Sequence, residues 1–316
     1  MKALQIDGVG EHRIVEVPIP AIADDQVLVR IHLVATCPRW DIAMLGGKDM
    51  FDATRGPAYP LPPGFPGHEA VGVVEAVGAS VQGIQPGDRV AALEHLFPGQ
   101  GAYAQYLAYR ERDLLKLPDS VSDRRAVSTE LLKCIVFGLD QFADLRGKSM
   151  LIAGLGPAGL LAMQVAAAWG AHVTAIDVSQ ERVDAVNALG IGTAVHADEL
   201  GDRRFDLGYD CVGAAASVQN VLDRTKEHVV IFGVLRGSLT FRDSFWGGGL
   251  KLESFRGRLM NDRYRELLLD LLTRPSFNTE CLQSRQMSFS DYTEAVDVLK
   301  AQGAVKICFD PQEMAD

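Results

Sequence analysis

Over its first 115 or so residues the chain alternates short apolar runs with turns marked by glycine and proline. Residues 26–35 (QVLVRIHLVA), 69–78 (EAVGVVEAVG) and 88–93 (DRVAAL) read as strands, and segments such as QPGD and PGQG read as the turns between strands. Five prolines between residues 57 and 66 keep that stretch out of a helix interior or a central strand. It is expected as an extended surface loop leading into Gly67, His68 and Glu69.

After Leu117 and Pro118 the spacing becomes helical over residues 122–142, and a regular alternation then begins. Strands are expected at 149–154, 172–177, 205–213 and 228–234, with helices at 157–169, 180–189 and 217–225 between them. Such alternation forces a parallel sheet with helices on both faces, so the fold class is α/β, doubly wound, behind a β-rich opening domain. Residues 250–257 supply a candidate edge strand, 262–272 and 290–302 read as amphipathic helices, and VKICF is a last strand. The expected division is 1–122, 123–260 and a C-terminal segment 261–316.

Composition narrows the function classes. With 316 residues, 47% of them hydrophobic, two cores are affordable. Thirty-one basic against 41 acidic side chains give a net charge of −10 with no long run of either sign, which argues against nucleic acid or an anionic membrane as partner. The first residues, MKALQIDGVG, lack the apolar centre of a signal peptide, and no window has the apolar length of a membrane span. The expectation is a cytoplasmic protein. Cysteines 37, 134, 211, 281 and 308 are odd in number and form no CxxC pair, which argues against a disulfide framework.

Gly154, Gly156, Pro157, Ala158 and Gly159 lie in a GxGxxG match between an apolar strand and a long apolar helix, and Asp177 ends the next strand 18 residues later. In that setting the glycines allow a tight turn, approach of backbone N–H groups to a pyrophosphate, and close helix packing. Asp177 would accept from the adenosine ribose hydroxyls and repel a 2′-phosphate, favouring NAD over NADP. The bland reading of the same residues, a tight turn and a helix cap, loses to the complete strand–helix–strand context. A methyltransferase-like adenosine site is disfavoured by the unrelated opening domain.

In the opening domain Cys37, His68 and Glu69, with Glu130 in the linking helix, offer the thiolate, imidazole and carboxylate donors that zinc takes. Cys37 and Glu69 would neutralise the ion, and Glu130 would make the site net negative, binding through water or transiently. Either element alone would read as a buried small hydrophobe or a solvated pair.

The ordered pieces GHE followed by AVGVVEAVG, VQGIQPGDRV, GAYAQY, STELLKCIVFGLD, GLGPAGLLAMQVAAAWGA, AIDVSQERVDAVNALG and DYTEAVDVLKAQGAVKICFD resemble the zinc-dependent medium-chain alcohol and polyol dehydrogenases nearly end to end. The resemblance implies a GroES-like β-barrel catalytic domain, rejoined by the C-terminal segment, and a Rossmann domain, with zinc and nicotinamide in the cleft between them. It implies Cys37, His68 and Glu69 as catalytic-zinc ligands, and Glu130 where members carry cysteine or glutamate. It also implies cofactor contacts from Ala158, Asp177, Arg182 and the loop Phe232, Gly233 and Val234, and a homodimer or homotetramer.

Three departures stand out. Residues 91–100 contain no cysteine where the family commonly has a four-cysteine zinc lobe, so one catalytic zinc and no structural zinc is expected. Three residues rather than two separate Cys37 from Asp41. The hydroxyl residue that usually relays the substrate proton is missing, leaving Thr36, Asp41 or water. Asp41 is alternatively a partner for a metal-bound imidazole or a helix cap, and Arg39 a pyrophosphate or acidic-substrate ligand or a surface residue. Cys134, one turn beyond Glu130, is a rival metal ligand. Trp40, Phe51, Phe97 and Trp246 are candidate pocket aromatics. The expected activity is hydride transfer between a secondary alcohol, polyol or amino alcohol and NAD. Rivals are a zinc-free NAD(P)H reductase, a redox-neutral enzyme with retained NAD, and a non-catalytic nucleotide sensor.

Overall fold

The computed structural model describes residues 1–52, 54–94 and 99–314, and they divide into two compact units. The first comprises Met1–Leu131, Arg265–Arg274 and Thr279–Asp316, and the second Leu132–Tyr264 and Pro275–Asn278. Among the described residues no helix is long and apolar enough to cross a membrane.

The first unit contains β1 (Lys2–Gly8), β2 (Glu11–Glu16), β3 (Gln26–Ala35), α1 (Pro38–Leu45), β4 (Glu69–Val77), β5 (Arg89–Ala92), β6 (Tyr106–Arg110), β7 (Leu114–Lys116) and α2 (Asp123–Ala126). Helix α3 (Thr129–Leu139) follows, and the second unit carries β8 (Ser149–Ala153), α4 (Pro157–Ala168), β9 (His172–Asp177), α5 (Gln180–Leu189), β10 (Ala194–His196), β11 (Phe205–Asp210), α6 (Ala215–Arg224), β12 (Thr225–Ile231), α7 (Asp243–Gly247) and β13 (Lys251–Ser254). After α8 (Asp262–Thr273), the first unit regains β14 (Gln283–Gln286), α9 (Tyr292–Lys300) and β15 (Lys306–Phe309).

In the first unit the larger sheet runs β14-β15-β3-β4-β5-β7, with β6 also paired to β3. Strand β3 buries Val27, Val29, Ile31 and Leu33 in the period of two that a half-covered strand requires, over a core that includes Leu4, Ile6, Leu107 and Phe309. The proline-rich stretch corrects one expectation. Leu61 and Phe65 are buried in this core, because their apolar side chains turn inward from a segment whose prolines forbid regular structure.

In the second unit the order β10-β9-β8-β11-β12-β13 is all parallel and doubly wound. Met150, Leu151, Ile152 and Ala153 are buried in unbroken succession, as a strand covered on both faces demands. Helix α6 is amphipathic instead, burying Val218, Val221 and Leu222 against the sheet. Register places Ala153 beside Ile176 on one flank and Asp210 on the other, with Ile231 next in line, so these strands end at one edge.

Candidate active site

Three adjacent strands bring the metal donors together. Ala35 pairs with Glu69 across β3 and β4, which sets Cys37, two residues past β3, near His68, the residue before β4. On the other side of β3, Cys308 of β15 pairs with Ala35, and Thr36 exchanges two hydrogen bonds with Ile307. Cys37 Sγ, one ring nitrogen of His68 and one carboxylate oxygen of Glu69 lie within 4.8 Å of one another. His68 Nε2 is 3.8 Å from Glu130 Oε2.

His68 Nδ1 sits 2.8 Å from the Pro66 carbonyl oxygen, an acceptor that fixes the proton on Nδ1 and leaves Nε2 as the electron-pair donor. Burial pulls the imidazole's pKa down, but the hydrogen bond and charge of Cys37, with the charges of Glu130 and Glu69, more than offset this and carry it up to about 10. Burial likewise pushes the Glu69 carboxyl up against the opposing pull of Lys306 and His68.

The donor set fits a divalent cation. Glu69 is fully buried, and its Oε2 has no hydrogen-bond partner while Oε1 is paired with the Lys306 ammonium. An unpartnered buried carboxylate oxygen is costly unless an ion takes it. Thiolate, imidazole and carboxylate together are zinc donors, with a fourth position left for exchange. Lys306 also donates to the Thr36 carbonyl at 2.7 Å, and its own pKa stays raised because, although burial lowers it, Glu69 and Cys37 outweigh the loss. With a metal bound, a Cys37 thiolate, a neutral His68 and the Glu69 and Glu130 carboxylates, offset by the Lys306 ammonium, would carry a charge of minus two, which one divalent ion cancels.

The three residues between Cys37 and Asp41 lie in the first turn of α1. Cys37 is extended (φ −100, ψ 95) at the cap of α1, Pro38 takes the first helical position, and the Cys37 carbonyl accepts from both Trp40 and Asp41. Asp41 thus stands inside the first turn and not at the cap. Its Oδ1 receives the hydroxyls of Tyr103 at 2.6 Å and Tyr292 at 2.7 Å. Arg39 is exposed, whereas Trp40 is half-buried and meets Phe51, Phe65 and His68 edge-on with centroids 5.9, 5.4 and 6.1 Å apart. Phe97 lies outside the described residues, and Trp246 belongs to the second unit, where it is 83% exposed.

In the second unit the glycine turn after β8 has the geometry a dinucleotide needs. A Cβ on Gly159 would lie 1.7 Å from the Gly154 carbonyl oxygen, so only glycine lets α4 approach the turn this closely. Gly156 is the cap of α4 and has no side chain to satisfy the N–H groups of the first turn, where Pro157 and Ala158 stand. Asp177 accepts from Leu155 N at 2.8 Å and Ser179 N at 2.9 Å, and Arg182 lies 3.6 Å from it. A carboxylate has about four acceptor positions, so two remain for ribose hydroxyls. Phe232, Gly233 and Val234 follow β12 at the same sheet edge, with Phe232 stacked near Tyr209 at 5.8 Å.

Two family models match this chain, an alcohol dehydrogenase GroES-like domain over residues 23–119 and a zinc-binding dehydrogenase over residues 157–274. The chain belongs to the zinc-type medium-chain dehydrogenase/reductase family. An L-threonine 3-dehydrogenase of Edwardsiella ictaluri is 26% identical over 337 residues, covering 92% of this chain and 94% of that protein. The structure of an alcohol dehydrogenase from Thermus sp. ATN1 superposes with a TM-score of 0.85 at 26% identity over 98% of this chain and 99% of the other. That of galactitol-1-phosphate dehydrogenase from Escherichia coli gives 0.82 at 23% identity over 98% and 100%. The first unit is accordingly the GroES-like domain and the second the Rossmann domain of an alcohol-type oxidoreductase with a small-molecule substrate.

Within this dehydrogenase the residue that sequence reasoning missed is Lys306. A single lysine in a terminal strand reads as solvent-facing, yet every residue of β15 is buried and the ammonium is wholly enclosed against Glu69. The available signal was its place between apolar neighbours in VKICF.

Proposed function

We propose that this dehydrogenase uses one zinc ion and NAD to interconvert a secondary alcohol, polyol or amino alcohol with its carbonyl form. The observation that carries the reading is the convergence of Cys37, His68 and the unpartnered Glu69 oxygen in one buried cluster. The likeness to threonine dehydrogenases supports the amino-alcohol end of that range. When bound, zinc would supply Lewis acidity that favours loss of the alcohol's hydroxyl proton near neutral pH, and nicotinamide would accept the hydride from the carbinol carbon.

The chain's own residues do the rest. Pro66 holds the His68 ring in the tautomer that presents Nε2. Lys306 keeps Glu69 charged in a buried place and steers one oxygen away from the ion, leaving Oε2 as the ligand atom. Glu130, 3.8 Å from His68, would hold a water or enter the coordination shell. Trp40 walls the imidazole and limits water there. Asp177 selects the cofactor through the ribose diol, and the uncapped first turn of α4 receives the pyrophosphate.

The test is metal content and NADH binding on purified protein, wild type against Cys37→Ser, followed by an alcohol screen. One zinc per chain, lost in the variant with NADH binding retained, is the expected result. A chain that takes up no zinc, yet binds NADH, would overturn the zinc mechanism.

A further inference from the structure

Asp210, the last residue of β11, is fully buried and ties three segments together. Its Oδ2 accepts from Gly213 N at 2.6 Å and Val212 N at 3.2 Å, and its Oδ1 from the Ser217 hydroxyl at 2.6 Å. Its main-chain oxygen accepts from Phe232 N at 2.8 Å and Gly233 N at 3.0 Å. One residue therefore fixes the turn after β11, the first turn of α6 and the turn after β12.

A doubly wound sheet is made of two mononucleotide halves, here β8-β9-β10 and β11-β12-β13, and Ala153 and Asp210 are register partners at the ends of their leading strands. Their following turns differ in one respect. After β8 the turn amide of Leu155 is held from the neighbouring strand by Asp177, whereas after β11 the turn amides of Val212 and Gly213 are held by the strand's own last residue, Asp210.

The two turns that Asp210 ties also meet backbone to backbone. At Gly213 φ is +74 and a Cβ would lie 2.2 Å from the Val234 oxygen, while one on Gly233 would lie 2.3 Å from Gly213 N. The same strand end abuts the glycine turn, since a Cβ on Gly154 would lie 2.6 Å from Val212 Cγ2. The Asp210 carboxylate holds this arrangement at the strand end, beside main-chain bonds from Arg236 N to the Gly213 oxygen at 2.7 Å and from Ala215 N to the Arg236 oxygen at 3.1 Å, at the switch point where such sheets receive their ligand.

We propose that Asp210 is a positioning residue for the nicotinamide half of the cofactor, its carboxylate setting the Val212–Gly213 and Phe232–Val234 turns against which that half is seated. The inference rests on the dinucleotide reading above. It requires that Asp210 matter for the nicotinamide riboside portion and not for the adenosine portion, which a purely structural role would not distinguish.

The experiment compares NADH and ADP-ribose binding by calorimetry for wild type, Asp210→Ala, Asp210→Asn and Ser217→Ala, with thermal unfolding followed in parallel. Loss of charge-assisted bonds predicts about tenfold to a hundredfold weaker NADH binding in Asp210→Ala, with ADP-ribose affinity changed by less than about twofold. Asn keeps one acceptor oxygen for the turn and should recover part of the loss, and Ser217→Ala, which folds with the turn bonds intact, should weaken NADH alone by about threefold to tenfold. Equal loss of both ligands, or unchanged NADH affinity in Asp210→Ala and Ser217→Ala, would overturn the inference and spare the cofactor reading. A wild-type chain that binds neither ligand overturns both.

Discussion

Replacing Lys306 by Met keeps the aliphatic stem and removes the ammonium, which leaves the Glu69 carboxylate enclosed with no cation beside it. Both partners are fully buried, so no solvent screens the change. Breaking a buried pair from one side costs about 3–5 kcal/mol, and the Thr36 carbonyl loses its 2.7 Å bond as well. Removing the orphaned charge should undo most of this, because a neutral pair is often as stable as the ion pair it replaces. Lys306→Met with Glu69→Gln is therefore expected within about 1–2 kcal/mol of wild type. The assay is urea unfolding of chelator-treated protein, with the four members of the mutant cycle compared at one pH. Added zinc should then narrow the gap between Lys306→Met and wild type, since an ion bound to Glu69 supplies the missing positive charge. A cost below about 1 kcal/mol for Lys306→Met without metal, or no recovery in the double variant, would show that the pair does not hold the site together.

His68→Ala should lower turnover of any accepted alcohol by at least about a hundredfold, while NADH binding, measured by fluorescence, stays near wild type because the residues proposed to bind it belong to the second unit. Asp177→Ser should move the ratio of kcat/KM for NAD over NADP towards NADP by about tenfold or more, read in steady-state assays with both cofactors. The Asp206 carboxyl is pulled down to about 2, first by the Ser149 hydroxyl at 2.7 Å and then by its N–H at 2.9 Å. A depressed carboxyl stabilises the fold above its unfolded value, near 3.8, and loses that contribution as pH falls towards 2. Acid unfolding of wild type and Asp206→Asn should accordingly differ above about pH 5 and converge near pH 2. Parallel curves across that range would refute the assignment.

The second unit was legible in the order and type of its elements, though β11 ends at Asp210 rather than 213 and β12 begins at Thr225, inside the stretch read as helix. Strand β8 carries an unbroken apolar run, and Gly159, Gly213 and Gly233 meet a backbone that excludes any side chain, so local sequence and global fold agree there. The first unit was legible only in outline. Its proline-rich stretch buries Leu61 and Phe65 through positions that no period marks. The tyrosines that engage Asp41 stand 62 and 251 residues away from it. Lys306 reaches Glu69 across 237 residues, a pairing created by the register of β15 on β3, and such long-range register leaves no trace in a local window.

That late strand imposes an order on biosynthesis. A ribosome releases the residues that hold Cys37, His68, Glu69 and Glu130 well before it has made Lys306, because the whole second unit is encoded in between. At about 5–20 residues per second, the roughly 175 residues from Leu131 to Lys306 take on the order of ten to thirty-five seconds to emerge. Throughout that interval the nascent barrel must either leave Glu69 in water or find its counter-charge elsewhere. Maturation of the centre is thus timed by translation, and a stall within the second half of the message would strand a half-built, acid-rich cavity on the ribosome.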